Sequence, residues 1–180
     1  MVRGQASGGS KKKYILLMAI VVPVLLLDQL TKLYIVSTFA LYESVTVFEN
    51  FFHITYILNP GAAFGIFAGR AASFRIPFFL TLSVVASVGI VIFYRAVEER
   101  LVQVALSLIL GGAIGNMIDR ARLGEVIDFI DVHWYNNYWP AFNVADSAIT
   151  IGVGLMILDM VLKEKRRKTY NPQISQIGAD

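Results

Sequence analysis

Four long apolar runs, separated by polar segments, dominate the chain. The first covers residues 14–27 and continues through Asp28-Gln29-Leu30-Thr31-Lys32 to about residue 36. Residues 76–94 carry no charge until the run ends, and two more runs cover 101–118 and 142–162. A helix needs about 20 residues to cross the hydrocarbon of a bilayer. The pattern therefore predicts four spanning helices, over about 14–36, 76–94, 101–118 and 142–162. The loop 37–75 is β-rich and partly alternating over 44–48 and 51–58, with Glu49-Asn50 between them. That is a hairpin signal, and Asn59-Pro60-Gly61 ends its second strand with turn chemistry. Residues 62–67 are small and aromatic, too short to span, and are expected to lie in the interface. In the loop 119–141, Val126, Asp128 and Ile130 alternate with Ile127, Phe129 and Asp131 as in an extended segment. Trp134, Tyr135, Tyr138 and Trp139 follow as an aromatic belt would.

Composition sharpens this. Of 180 residues, 56% are hydrophobic and 16% charged, against about 25% charged in soluble domains. The expected class is a mainly α membrane protein with a small β-rich cradle and an interfacial helix between helices 1 and 2. The absence of cysteine excludes disulfides and a thiol nucleophile. The net charge of +3 matters less than its placement. Lys11–Lys13, Arg95, Arg100 and the cluster at 163–168 all fall on one side of a four-span bundle. Basic residues mark the cytoplasmic side, so both termini are expected there and the loops 37–75 and 119–141 outside. Residues 1–13 read as a flexible basic leader, 14–162 as one membrane domain, and 163–180 as a basic cytoplasmic tail. The basic ends suit anionic lipid headgroups. No basic groove interleaved with aromatics suggests nucleic acid.

Lysines followed by an apolar run also imitate a secretory signal, but the run continues past Asp28 without a small-x-small cleavage site. Asp28, Asn116, Asp119 and Asp146 approach the outer boundary from different helices, where ionisable groups are costly to desolvate and mark a site. Each has a bland reading. Asp28 and Lys32 are i and i+4 and can pair, and Asp28 can act as polar glue between helices. Asn143 can cap the fourth helix with Asp146 in its first turn. Asp119, beside Arg120 and three residues from Asn116, reads as a structural ion pair at a helix end. Asp128 shares a face with apolar residues, so it is paired inward or catalytic. Two close carboxylates share a proton and divide acid and base roles. His53 and His133 match no HExxH motif or serine triad, so no metal or cofactor is expected. The alternative is a small proton or solute transporter using membrane carboxylates. Against it, the acids cluster at one boundary and no inverted repeat is visible.

Five blocks, in this order, resemble the motif set of bacterial lipoprotein signal peptidases (signal peptidase II). They are Asp28-Gln29-x-Thr31-Lys32, Asn59-x-Gly61-x-Ala63-Phe64, Gly111-Gly112-Ala113-x-Gly115-Asn116-x-x-Asp119-Arg120, Val126-x-Asp128-Phe129 and Phe142-Asn143-x-Ala145-Asp146. The resemblance spans residues 28–146. It implies a four-helix inner-membrane aspartyl protease with an outward β-cradle, cleaving prolipoproteins before a diacylglyceryl-modified cysteine. It places the catalytic pair on Asp128 and Asp146. Asp28, Lys32, Asn59, Gly61, Asn116, Asp119, Arg120 and Asn143 fall on supporting or ligand-contacting positions. The partners it implies are lipidated prolipoproteins and membrane phospholipids, and the protein is expected to be a monomer.

Overall fold

A computed structural model describes residues 5–61, 67–135 and 137–170. Its long helices are α1 (Gln5–Thr38), α2 (Ala72–Ala96), α3 (Arg100–Leu123) and α4 (Val144–Tyr170). Each contains a stretch long and apolar enough to cross a membrane: Lys11–Thr38, Ala72–Ala96, Arg100–Leu123 and Val144–Arg167. The chain is a multi-pass membrane protein. Strands β1 (Ser44–Phe48), β2 (Phe52–Asn59), β3 (Val126–Trp134) and β4 (Asn137–Tyr138) pair antiparallel in that order. The expected hairpin is β1–β2, turning through Asn50 at φ 59°. The interfacial helix expected after it falls largely on residues 62–66, outside the described residues.

Two helices overrun their expected ends. α1 begins at Gln5, inside the stretch read as a flexible leader, and α4 continues to Tyr170 through the basic cluster. Lys, Arg and Glu are good helix formers, which carries α4 through its basic cluster; α1 extends from its spanning segment with no new nucleus to form. Lys163 also pairs with Asp159 at 2.8 Å and with Glu99 at 3.1 Å, tying α4 to the start of α3.

α3 is the central helix, packed against α1, α2 and α4. Val102, Leu106 and Leu110 join Leu17, Val21 and Tyr94 in one core cluster. The outward residues of the other helices, such as Leu26, Leu30, Val85, Ile92, Ile151 and Met160, are exposed. Lipid tails are as apolar as these side chains, so such a face needs no protein cover.

Small residues set how closely α3 is approached. Gly111 and Gly115 face α1: a Cβ on Gly111 would sit 3.0 Å from Val24 Cβ, and one on Gly115 would sit 2.7 Å from Asp28 Oδ2. Gly112 faces the other way, where a Cβ would overlap the carbonyl oxygen of Ala145 in α4. That neighbour is helix backbone and cannot rotate aside. Gly112→Ala is therefore expected to push α4 off α3, costing about 1–3 kcal/mol as overpacking does. A lowered thermal midpoint in detergent, larger than for Gly154→Ala in open space, checks this.

Two further features aim the sheet at the helix ends. Gly124 caps α3 in the left-handed region at φ 75°, its N–H donating to the Arg120 carbonyl at 3.0 Å, and turns the chain into β3. Phe142, just before α4, then pairs with Ile130 of β3: each N–H donates to the other's carbonyl, at 3.0 and 2.8 Å. This stitch sets β3 against the start of α4, while Asn59 of β2 lies opposite Val126, two residues from Asp128.

Candidate active site

The first turn of α4 is built by reciprocal capping. Asn143 Oδ1 accepts from the Asp146 N–H at 2.9 Å, and Asp146 Oδ2 accepts from the Asn143 N–H at 3.3 Å. This is the logic of a capping box, with Asn and Asp in place of Ser and Glu. The bland reading of Asp146 thus describes its backbone setting and leaves one carboxyl oxygen for other contacts. Asp146 Oδ1 accepts from Asn116 Nδ2 of α3 at 2.7 Å.

Asn143 also holds the second acid. Its Nδ2 donates to Asp128 Oδ1 at 2.7 Å, and Asn59 Nδ2 donates to Asp128 Oδ2 at 2.9 Å. Asn143, fully buried, therefore contacts both carboxyl groups: that of Asp128 through its side-chain amide and that of Asp146 through its main-chain N–H. Asp128 is 2% exposed. Burial, and next the charge of Asp146, push its carboxyl up to about 7. The amides of Asn59 and Asn143 act against that rise but do not cancel it.

Behind these acids lies a second charged group. Lys32 is 2% exposed and offers three donors. Its Nζ lies 2.9 Å from Asp28 Oδ2, 2.7 Å from Asp119 Oδ2 and 3.1 Å from Asn116 Oδ1. Each carboxylate also accepts from the backbone. Asp28 Oδ1 takes the Ala145 N–H at 2.9 Å, satisfying another free donor of the α4 start. Asp119 Oδ2 takes the Ile127 N–H at 3.2 Å, next to Asp128. The ion pair expected for Asp119 exists, but its partner is Lys32 on α1, not the neighbouring Arg120. Arg120 instead donates to the Gly61 carbonyl at 3.1 Å, with its guanidinium 4.8 Å over the Phe79 ring.

Asn59, Gly61, Asn116, Arg120, Asp128 and Asp146 line one cavity of about 590 Å³. Its other wall is mostly apolar, from Trp139, Pro140, Ala141, Phe142, Ile149 and Ile151, with Ser147 and Thr150 among them. Of the positions singled out in the sequence, six face the cavity, Asn143 bridges the two acids, and Asp28, Lys32 and Asp119 stand behind. Sequence reasoning missed Gln29, whose Nε2 donates to Asp28 Oδ2 at 3.0 Å and to Asp119 Oδ1 at 3.2 Å. Its position beside Asp28 was the available signal. Nothing local marked Phe79 as a platform for Arg120.

Spanning helices, with Asp128 buried and Asp146 half-buried on one amphipathic cavity, suit a membrane-embedded peptidase of the aspartic type. The comparisons agree. A family model described as signal peptidase (SPase) II matches residues 20–162. The lipoprotein signal peptidase of Syntrophus aciditrophicus is 48% identical over 160 residues, covering 87% of this chain and 99% of that protein. That of Pseudomonas putida is 46% identical over 152 residues, covering 83% and 86%. A solved bacterial membrane enzyme aligns at TM-score 0.74 and 39% identity, over 84% of this chain and 90% of its own. The chain belongs to the signal peptidase II family. The transporter alternative finds no support in these relatives, and the acids gather at one end of the bundle.

Proposed function

We propose that this chain removes signal peptides from prolipoproteins, cleaving before a diacylglyceryl-modified cysteine, with Asp128 and Asp146 as the catalytic pair. The observation that carries this is Asn143 contacting both carboxyl groups at the wall of one cavity. Asp128, whose carboxyl is pushed up to about 7, holds the proton. Asp146 accepts a proton from a water that attacks the scissile carbonyl, and Asp128 protonates the leaving amine. Helical peptide hides its carbonyls, so the substrate must unwind before attack. Asn59, Asn116 and Arg120 line the cavity where freed backbone groups would bind, and Asp28, Lys32 and Asp119 hold the acids' elements in register.

The basic residues at both ends support a topology with the termini in the cytoplasm and the cavity towards the outer face of a bacterial inner membrane. There the lipidated end of a membrane-anchored substrate meets the dyad. Its acyl chains lie against the outer helix surfaces, among membrane phospholipids, and the monomer carries a whole dyad. The test is purified protein in liposomes with a synthetic precursor. Mass spectrometry should find a single cut immediately before the lipidated cysteine. Cutting elsewhere, or equal cutting of an unlipidated precursor, would refute the substrate assignment.

The pH dependence has a definite sign. Asp128 keeps its proton below about 7, so kcat/KM should fall as pH rises through about 7 and the acid is lost. A rate that climbs steadily from pH 6 to 9 would contradict Asp128 as the proton donor.

A further inference from the structure

His53, Asp131 and His133 lie away from the cavity, towards the ends of β2 and β3 opposite Asn59 and Asp128. No sequence motif flagged them, because the relevant spacing runs across strands. His53 pairs in register with Asp131. Side chains alternate along a strand, so His133, two residues on, shares that face. One donor atom from each lies within 4.8 Å of the others. We propose that these three residues form a binding site for a divalent ion of the zinc type, with solvent completing the coordination.

The donor set fits such an ion. Two imidazoles and one carboxylate suit zinc and its late first-row neighbours, whereas calcium and magnesium prefer all-oxygen sites. His133 is 5% exposed, and its Nδ1 is buried with no hydrogen-bond partner among the described residues. A buried polar atom left without a partner calls for an explanation, and an ion at this face would supply one. His53 Nδ1 stands 3.9 Å from Asp131 Oδ2, beyond a hydrogen bond. Bonds of about 2.0–2.2 Å to one ion would draw these atoms together. The His53 and Asp131 side chains are 21% and 20% exposed, so an aqueous ion has a way in.

The competing role is packing alone. The His53 and His133 rings stack at 4.5 Å, and His133 stacks on Tyr138 at 4.9 Å. Stacking accounts for the rings but not for the unpartnered Nδ1 or the facing carboxylate. Ligation requires the imidazoles to turn so that their in-plane lone pairs converge, a change confined to side-chain torsions.

The test uses full-length protein in nanodiscs, without a histidine tag, titrated with Zn²⁺ alone by calorimetry and by thermal midpoint. Wild type should take up one Zn²⁺ per chain and melt higher with it, as any ligand of the folded state requires. His53→Phe preserves the aromatic pile, and Asp131→Asn preserves shape. Each should weaken Zn²⁺ at least about tenfold, as losses around metal sites do, and abolish the midpoint rise. Precursor cleavage in EDTA should remain at the wild-type rate in both variants, which shows that they fold and separates this site from the dyad. No stoichiometric uptake by wild type, or equal uptake by the variants, would overturn the proposal.

Discussion

Asp128→Asn and Asp146→Asn should each lower cleavage by at least about 10²–10⁴-fold, the contribution of positioned acid–base groups, while precursor binding persists. Single-turnover cleavage alongside equilibrium binding of the same lipidated precursor separates the two effects. Stability gives an independent control with a worked sign. Asp128 ionises near 3.8 when unfolded but at about 7 when folded. Between those values the unfolded state releases the proton first, so wild type loses stability as pH rises; above about 7 the loss is complete and constant. Asparagine has no proton to lose. The midpoint difference between Asp128→Asn and wild type should therefore move in the variant's favour from pH 4 to 7, then level off. A variant that is inactive because it is unfolded would not show this drift. If instead Asp119→Asn abolished cleavage in a folded protein and Asp128→Asn did not, the choice of dyad would be wrong.

The second large effect is expected at Lys32. Lys32→Met leaves Asp28 and Asp119 buried at 0% and 1% exposure, without their shared cation. Removing one partner of a buried charge network costs about 3–5 kcal/mol, because the remaining charge is uncompensated. Here two charges remain, and both also hold backbone N–H groups, at Ala145 and Ile127. The start of α4 and the start of β3 should both loosen, and with them the placement of Asp146 and Asp128. Lys32→Met should give little folded protein by size-exclusion chromatography. Adding Asp119→Asn, which removes one stranded charge, should recover part of it. If Lys32→Met folded with wild-type stability, the triad would not be what ties these elements together.

Much of this arrangement was legible in the sequence because membranes punish polar groups. An acid in an apolar run needs a reason, and Asp28, Asp119 and Asp146 announced one depth. The alternation around Asp128 placed it on a covered strand, and the Asn143–Asp146 spacing gave the cap. What could not be read was long-range partnership. Nothing near Asp119 says that its cation comes from α1, 87 positions earlier in the chain. The neighbouring Arg120 was the obvious local candidate, yet its guanidinium reaches the Gly61 carbonyl across the cavity. That Gly111 and Gly115 face α1 while Gly112 serves a second helix depends on rotation about α3. The His53–Asp131 pairing depends on the β2–β3 register, between strands separated by α2 and α3. Helix ends misled for a simpler reason: hydropathy reports where the bilayer begins, and a helix of Lys, Arg and Glu continues beyond it.

The sharing of one proton by Asp128 and Asp146 is tested most directly by NMR. The Asp128 carboxyl carbon, labelled and assigned with Asp128→Asn, would be titrated in wild-type and Asp146→Asn protein in micelles. It should titrate near 7 in wild type and at lower pH once residue 146 carries no charge. A carboxyl that titrates in the ordinary range in wild type, and does not move when Asp146 is neutralised, would mean that the two acids do not act as a pair.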